Sequence, residues 1–354
     1  MEMLDYVKVT PAKLKENIAD KNSLVSPLVN LFFKQKNGSV TIVASGSSFN
    51  AVMMSKPYLK MRLARSVEVV TPELFELTRT SKNMKNFTFF VSQSGASTNI
   101  LHAMKFVNER NGRTIALTGN THSEVAQKAD IVIDYGVGKE TVGYVTVGLS
   151  TLVMYLVLFA NEVAQREQRP IDSDDDLLQL PEIMTETINT ALEFVNDHFM
   201  ELAQMGPTFI CGNNMNLGVA REAALKFQET LKIPTLHYEI EEFMHGPDIQ
   251  LSPQYSIFLI DNPQASPRIA AINTNLAAVT ARHYLITYNS DKVQPDVINI
   301  KLPAINSLCS LATIPFFQII VASMMPALNR EDAHPLATKF MNMIPTKNYD
   351  NQGR

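Results

Sequence analysis

Ten short β-branched runs, separated by segments of helical period, restrict this chain to a parallel α/β fold. In the first half the runs are Val40 to Ala44, Val67 to Val70, Phe87 to Val91, Thr114 to Leu117 and Asp130 to Asp134. They are nearly all apolar, as strands covered on both faces are. Helical patterns lie between them, over Phe49–Leu63, Pro72–Arg79, Ser97–Arg110 and Ser123–Lys128. Alternation at this spacing predicts a parallel sheet flanked by helices. The segment Gln165 to Gln179 is polar, contains Pro170 and carries three consecutive aspartates, and it reads as a linker. A helical pattern follows over Pro181–Leu202, and the alternation then restarts. Strands are expected at Thr208–Cys211, Thr235–Ile240, Ser256–Ile260, Tyr284–Tyr288 and Val297–Ile300, with helices over Asn216–Leu231, Pro267–Arg282 and Ile305–Leu328. The tail after Asn329 reads as an extended arm.

A length of 354 residues suits about two domains. Lys and Arg number 31 against 35 Asp and Glu, and no basic stripe marks a nucleic-acid partner. Two cysteines, Cys211 and Cys309, give no disulfide framework, and a cytoplasmic location is expected. The N-terminus lacks the apolar core of a signal peptide. One stretch resists this reading. Thr141 to Asn161 runs 21 residues without a charge, long enough to span a bilayer. Its early glycines, threonines and serine and its weak Lys/Arg flanks favour a loop leading into a buried helix, with no membrane partner. It is taken as the one run of this kind in the chain.

In doubly wound sheets ligands bind beyond the carboxyl ends of the strands. There the chain places Ser45-Gly46-Ser47-Ser48, then Ser92-Gln93-Ser94-Gly95-Ala96-Ser97, then Thr118-Gly119-Asn120. Such junctions offer N–H and O–H donors at a positive helix end, which suits a phosphate. Serines that merely cap helices are the alternative. No Walker lysine motif and no GxGxxG supports a nucleotide. In the second half, Glu222, Lys226 and Glu229 are spaced i, i+4, i+7 and share one helix face, catalytic or simply solvated. His245 lies in a Gly-Pro turn beside Glu241 and Glu242, which could hold its ring. The seven histidines are scattered, so no metal site is expected, and Cys211 reads as a small core residue.

The segments SGSSFNA (Ser45 to Ala51), SQSGAS (Ser92 to Ser97), ETVG (Glu140 to Gly143), REAALKFQE (Arg221 to Glu229) and EEFMHGP (Glu241 to Pro247) resemble the sugar isomerase (SIS) domain family in its double-domain form. The resemblance implies an α/β fold of two SIS-type doubly wound domains, each a parallel five-stranded sheet flanked by helices. It divides the chain into an N-terminal helical segment (1–35), a first SIS domain (36–165), a linker and connecting helix (166–204), a second SIS domain (205–330) and a tail over the active site (331–354). The implied ligand is a 6-phosphosugar held by Ser47, Ser48, Ser92, Gln93, Ser94, Ser97, Thr146 and Glu222. The implied catalytic residues are Glu229, which moves protons at the first two sugar carbons, Lys226 and His245. No cofactor and no metal are implied. A homodimer is, with His245 shared across the interface, and Leu152, Tyr155, Leu156 and Phe159 are predicted to make the contact.

Within the family the chain resembles two branches, the isomerase half of glucosamine-6-phosphate synthase and the fructosamine-6-phosphate deglycases. With about forty residues before the first strand, no glutaminase domain is expected. Relatives often carry a lysine where this chain has Val147, and Lys339 and Lys347 both compete for the place of a tail lysine that approaches the sugar. His334-Pro335-Leu336 looks more like the deglycases. The expected activity is therefore cleavage of an amino-acid adduct of a 6-phosphosugar, of the fructoselysine or glucoselysine type. An amino-sugar phosphate deaminase or aldose–ketose isomerase is the alternative, and a non-catalytic sugar-phosphate sensor a third.

Overall fold

The computed structural model describes residues 1–35, 38–78, 86–141, 143–288 and 294–347. The chain resolves into two compact units, neither continuous in sequence. One comprises residues 16–140, 147–171 and those from 332 on, and the other comprises 1–15, 141–146 and 172–331.

From the N-terminus the elements are α1 (Met3–Ala19), α2 (Lys21–Lys34), β1 (Val40–Val43), α3 (Gly46–Leu63), β2 (Val67–Val70), α4 (Pro72–Thr78) and β3 (Phe87–Ser92). Then come α5 (Thr98–Asn108), β4 (Ile115–Thr118), α6 (Glu124–Lys128), β5 (Ile131–Asp134) and α7 (Val147–Arg166). The five strands form one sheet in the order β2-β1-β3-β4-β5, and every pair is parallel. The register sets Val43 beside Val70 and Phe90, so the carboxyl ends of β1 and β3 finish side by side. Val43, Phe75, Phe90, Ile100 and Met104 fill the core on one face.

The other unit's sheet is built from α8 (Asp174–Asp197), α9 (Phe199–Ala203), β6 (Thr208–Gly212), α10 (Met215–Lys226), a π-helical turn over Phe227–Leu231, β7 (Thr235–Tyr238) and α11 (Ile240–Phe243). It continues through a 3₁₀ turn over Pro247–Gln250, β8 (Ser256–Ile260), α12 (Pro267–Leu276), β9 (His283–Tyr288), β10 (Val297–Ile300) and α13 (Cys309–Ala327). The helix α14 (Pro335–Met343) follows in the tail. The strand order is β10-β9-β8-β6-β7, again all parallel. Read from β7, it repeats the order of the first sheet, so each half is the same five-stranded α/β architecture.

Several expectations are corrected. The aspartates of the expected linker open α8. Ser173 accepts the Asp176 N–H at 3.1 Å and Asp176 accepts the Ser173 N–H at 3.3 Å, a capping box. The three acids sit where the positive end of the helix favours them. The tail is not an extended arm, because His334 caps α14 by accepting the Leu336 N–H at 3.2 Å. The uncharged run does split into a loop and a helix. It is not the one run of its kind: Leu302 to Asn329 is also free of charge and forms α13. Both helices are long and apolar enough to cross a membrane, yet 94% and 89% of their apolar windows are buried inside the fold. Each is the core helix of its own sheet, α7 packed on α3 and α2, α13 packed on α8 and α10.

That packing overturns the predicted dimer contact. Leu152, Tyr155, Leu156 and Phe159 are all at most 1% exposed, so the chain's own fold covers them. Phe159, for example, meets Phe32 of α2 edge-on, with ring centroids 5.7 Å apart. An all-round apolar helix signals burial without saying by what. Arg79 and Val142, which fall in the expected helix and in the ETVG segment, lie outside the described residues.

Candidate active site

The β1–α3 and β3–α5 junctions lie next to each other because their strands are neighbours. Asn99 Nδ2 on α5 donates to Ser45 Oγ at 2.8 Å and ties the junctions together. Ser47 and Ser92 are buried, while Ser48, Gln93, Ser94 and Ser97 are half-buried. The Ser92 and Ser97 hydroxyls are 3.0 Å apart, and Ser94 Oγ accepts the Ala96 N–H at 3.3 Å. The capping alternative can be examined helix by helix. Ser45 and Ser97 occupy the N-cap positions of α3 and α5, and neither side chain makes a capping hydrogen bond. Ser123, Ser173 and Ser266 do cap α6, α8 and α12. Neither helix that starts at a serine junction is thus capped by its N-cap serine, an arrangement that suits an anion-binding junction. Gly95 (φ +66°) turns this loop in the left-handed region, and a Cβ there would strike the Ser123 side chain.

Two residues not assigned a role in the sequence join this junction. Glu140 accepts the N–H groups of Val147 at 2.9 Å and Gly148 at 3.1 Å, and also the Gln93 side-chain amide. The tail arrives from the other side: Thr346 O accepts both the N–H of Thr98, at 3.2 Å, and its hydroxyl, at 3.1 Å. Ser97 and Lys347 form an isolated antiparallel bridge. Of the two competing tail lysines, Lys347 therefore meets the serine junction through its backbone, whereas Lys339 lies exposed on α14. Glu140 could have been picked out as the acid of ETVG. The tail contact had no signal in local pattern.

In the other unit, Glu222, Lys226 and Glu229 do come together. Lys226 Nζ lies 3.2 Å from Glu222 Oε1 and is hydrogen-bonded to Glu229 Oε1. This is not a solvated face, since Glu222 and Lys226 are 0% and 1% exposed and Glu229 remains partly open. Burial pulls the Lys226 pKa down, but the two carboxylates outweigh it and hold the amine above the ordinary lysine value. Glu229 is presented by the π turn, a widened segment that recurs at functional sites. Lys232 ends the turn in the left-handed conformation, and its Nζ donates to Thr230 O at 3.0 Å and also to Arg330 O. The guanidinium of Arg330 in turn donates to Leu231 O, so cations satisfy the carbonyl end of the turn.

His245 is exposed and makes no side-chain hydrogen bond among the described residues. Among the described residues neither adjacent acid accepts a hydrogen bond from its ring. Glu241 pairs with Arg268 at 3.0 and 3.1 Å, and Glu242 gives its N–H to Glu239. Phe243, buried against Phe209 with centroids 5.2 Å apart, anchors the turn that carries His245. Thr146 is buried and committed to its loop, with its hydroxyl donating to Tyr144 O at 2.9 Å and its carbonyl accepting from Gln318 at 3.4 Å. Both cysteines are buried, and burial pushes their thiols up, Cys309 to about 12, so neither is a thiolate near neutral pH.

Residues 32–161 match the SIS domain family. That match encloses both serine junctions, Glu140 and most of α7. Across the two halves the chain is similar to glutamine–fructose-6-phosphate aminotransferase [isomerizing] of Sulfurisphaera tokodaii, 23% identical over 319 residues, which are 90% of this chain and 52% of that enzyme. The chain thus spans about half the length of this curated relative, or less in the case of its human counterpart, at 36%. Among solved structures, a protein from Clostridium difficile 630 provisionally assigned as a phosphosugar isomerase shares the fold with a TM-score of 0.85 and 23% identity, over 99% of this chain and all of that one. Glucosamine-6-phosphate deaminase of Thermotoga maritima shares it with a TM-score of 0.73 and 17% identity, over 92% of this chain and 95% of that one. The fold of two parallel five-stranded sheets is therefore shared over the length of the chain.

Proposed function

We propose that this chain is a sugar-phosphate enzyme that moves protons between the first two carbons of a 6-phosphosugar. The observation that carries the reading is the pair of serine junctions inside the SIS match, whose N-cap serines do not cap, joined in the same chain by a buried, charge-balanced lysine next to a partly open glutamate. The serine junctions, with Ser47, Ser48, Ser92, Gln93, Ser94 and Ser97, take the phosphate. Glu229 is the base that removes a proton from one sugar carbon and returns it to the next. Lys226, enclosed between two carboxylates, holds Glu229 in place. His245 supplies the second proton-transfer group for ring opening, within a homodimer that shares it across the interface. Thr146 and Glu222 shape the loop and the helix that present these groups.

The specific reaction we favour is deglycation, in which an enaminol formed at the first two carbons becomes a Schiff base that water cleaves to sugar 6-phosphate and a free amino acid. The ETVG and His334-Pro335-Leu336 resemblances support it. The second reading is a phosphosugar deaminase or isomerase using the same Glu229, supported by the fold shared with glucosamine-6-phosphate deaminase. Incubation with fructoselysine 6-phosphate, following lysine and sugar phosphate, separates them. Release of both is expected. Turnover of glucosamine 6-phosphate with no release from any ketosamine phosphate overturns deglycation, and no turnover of any 6-phosphosugar overturns the enzyme reading in favour of a sensor.

A further inference from the structure

We propose that Glu140 is a positioning residue that fixes Gln93 at the anion-binding junction and thereby sets the chain's affinity for the phosphate of its substrate. The proposal rests on the reading above, in which the Ser92–Ser97 junction takes that phosphate.

The Glu140 carboxylate does two things at once. It occupies the N-terminus of α7, taking the Val147 and Gly148 N–H groups at 2.9 and 3.1 Å. The helix end nearest the ETVG loop therefore already holds an anion of the chain's own. A substrate phosphate is left the starts of α3 and α5, where the N-cap serines do not cap. The same carboxylate also accepts from Gln93 Nε2. A carboxylate only accepts, so this bond admits one orientation of the amide, because the flipped form would set two acceptors face to face. Gln93 Oε1 is then buried and has no partner among the described residues.

Gln93 is held from other sides as well. Its carbonyl accepts the Gly119 N–H at 3.0 Å and the Thr118 hydroxyl at 3.4 Å. Its amide lies against the first turn of α7, where a Cβ on Gly148 would collide with it. Gln93 immediately precedes the turn that presents Ser94, Gly95, Ala96 and Ser97. Clamping it fixes the geometry of the donors that follow, so less ordering remains to be done when an anion binds.

The test is a double-mutant cycle read by calorimetric titration of the full chain with inorganic phosphate and with fructose 6-phosphate. Glu140→Ala should weaken both by about tenfold, the scale of one charge-assisted hydrogen bond. Glu140→Gln, which keeps shape and one acceptor, should recover part of the loss and serves if the alanine variant folds poorly. Gln93→Ala should weaken binding to a similar degree, and Glu140→Ala with Gln93→Ala should be no worse than Gln93→Ala alone, because one residue acts through the other. A purely structural cap on α7 predicts additive losses instead. Additive losses, or wild-type affinity in both Glu140 variants, overturn the proposal while leaving the junction reading intact. Wild-type phosphate affinity in Ser92→Ala with Ser97→Ala overturns the junction reading itself.

Discussion

The Lys226 ammonium lies 3.2 Å from the Glu222 carboxylate, with both side chains shut away from solvent. A buried charge without its partner is costly, so this pair is better judged by what breaking it does than by any stability it adds. Lys226→Met should destabilise the chain by about 3–5 kcal/mol. The urea midpoint measures this, and a change under 1 kcal/mol, roughly a surface pair's worth, would count against the enclosed geometry.

The same pair predicts a pH dependence. The folded-state pKa of Lys226 is raised above its ordinary value of 10.5. Its stabilising contribution is therefore complete below pH 10.5 and is lost as pH rises through the higher folded value. Urea midpoints of the parent should begin this loss only on the alkaline side of 10.5, and Lys226→Met should lack that component.

Glu229 is the partly open member of its cluster. Glu229→Gln keeps the shape and the contact with Lys226 but removes the base. Turnover should fall by about 10²–10⁴ while KM changes little, because a base acts chiefly in the transition state. Steady-state kinetics on whichever 6-phosphosugar the chain turns over decides this, and full turnover would remove Glu229 from the mechanism.

An acid-side prediction comes from the first sheet's unit. Arg65 contacts the Glu167 carboxylate at 2.6 and 3.3 Å, and Arg169 contacts it at 2.5 and 3.0 Å. Hydrogen bonding from Arg65, then from Arg169, overcomes partial burial and holds the carboxyl below its usual 4.5. Because the folded value is depressed, the contribution is present above 4.5 and disappears as pH falls through the folded pKa. Glu167→Gln should flatten the acid limb of Tm against pH and cost little at neutrality, since the group is partly solvated.

The tail lysines should separate in kinetics. Both side chains are exposed, but the backbone of Lys347 is bridged to Ser97 at the serine junction, whereas Lys339 lies on α14. Lys347→Ala keeps this backbone bridge and should lower kcat/KM by roughly tenfold, the scale of one charged hydrogen bond to the substrate, and Lys339→Ala should leave it unchanged. The reverse pattern would move the sugar-facing role to Lys339.

The fold was legible because its signals are local. Val67–Val70, Ser256–Ile260 and Val297–Ile300 are strands over the same residues read from their β-branched, apolar runs. Errors gathered where a local signal has two meanings. Polar Ser173-Asp174-Asp175-Asp176 looked like a linker and is a capped first turn, because acids suit both solvent and a positive helix end. Leu152, Tyr155, Leu156 and Phe159 were recognised as buried, but hydropathy does not name the covering partner, and here the chain itself covers them.

The sequence by itself determined the alternation that builds two parallel sheets, the serines at their strand ends, and a helix face carrying Glu222, Lys226 and Glu229. All depend on neighbours a few residues apart, where backbone period dictates position. Only the tertiary structure decided that Lys226 is enclosed between two carboxylates, that the Ser45 and Ser97 side chains do not cap their helices, that Glu140 closes on Gln93, and that Lys347 returns to Ser97. These depend on burial and on hydrogen-bond partners, and for Glu140 and Lys347 on residues 47 and 250 positions apart, which no local periodicity encodes.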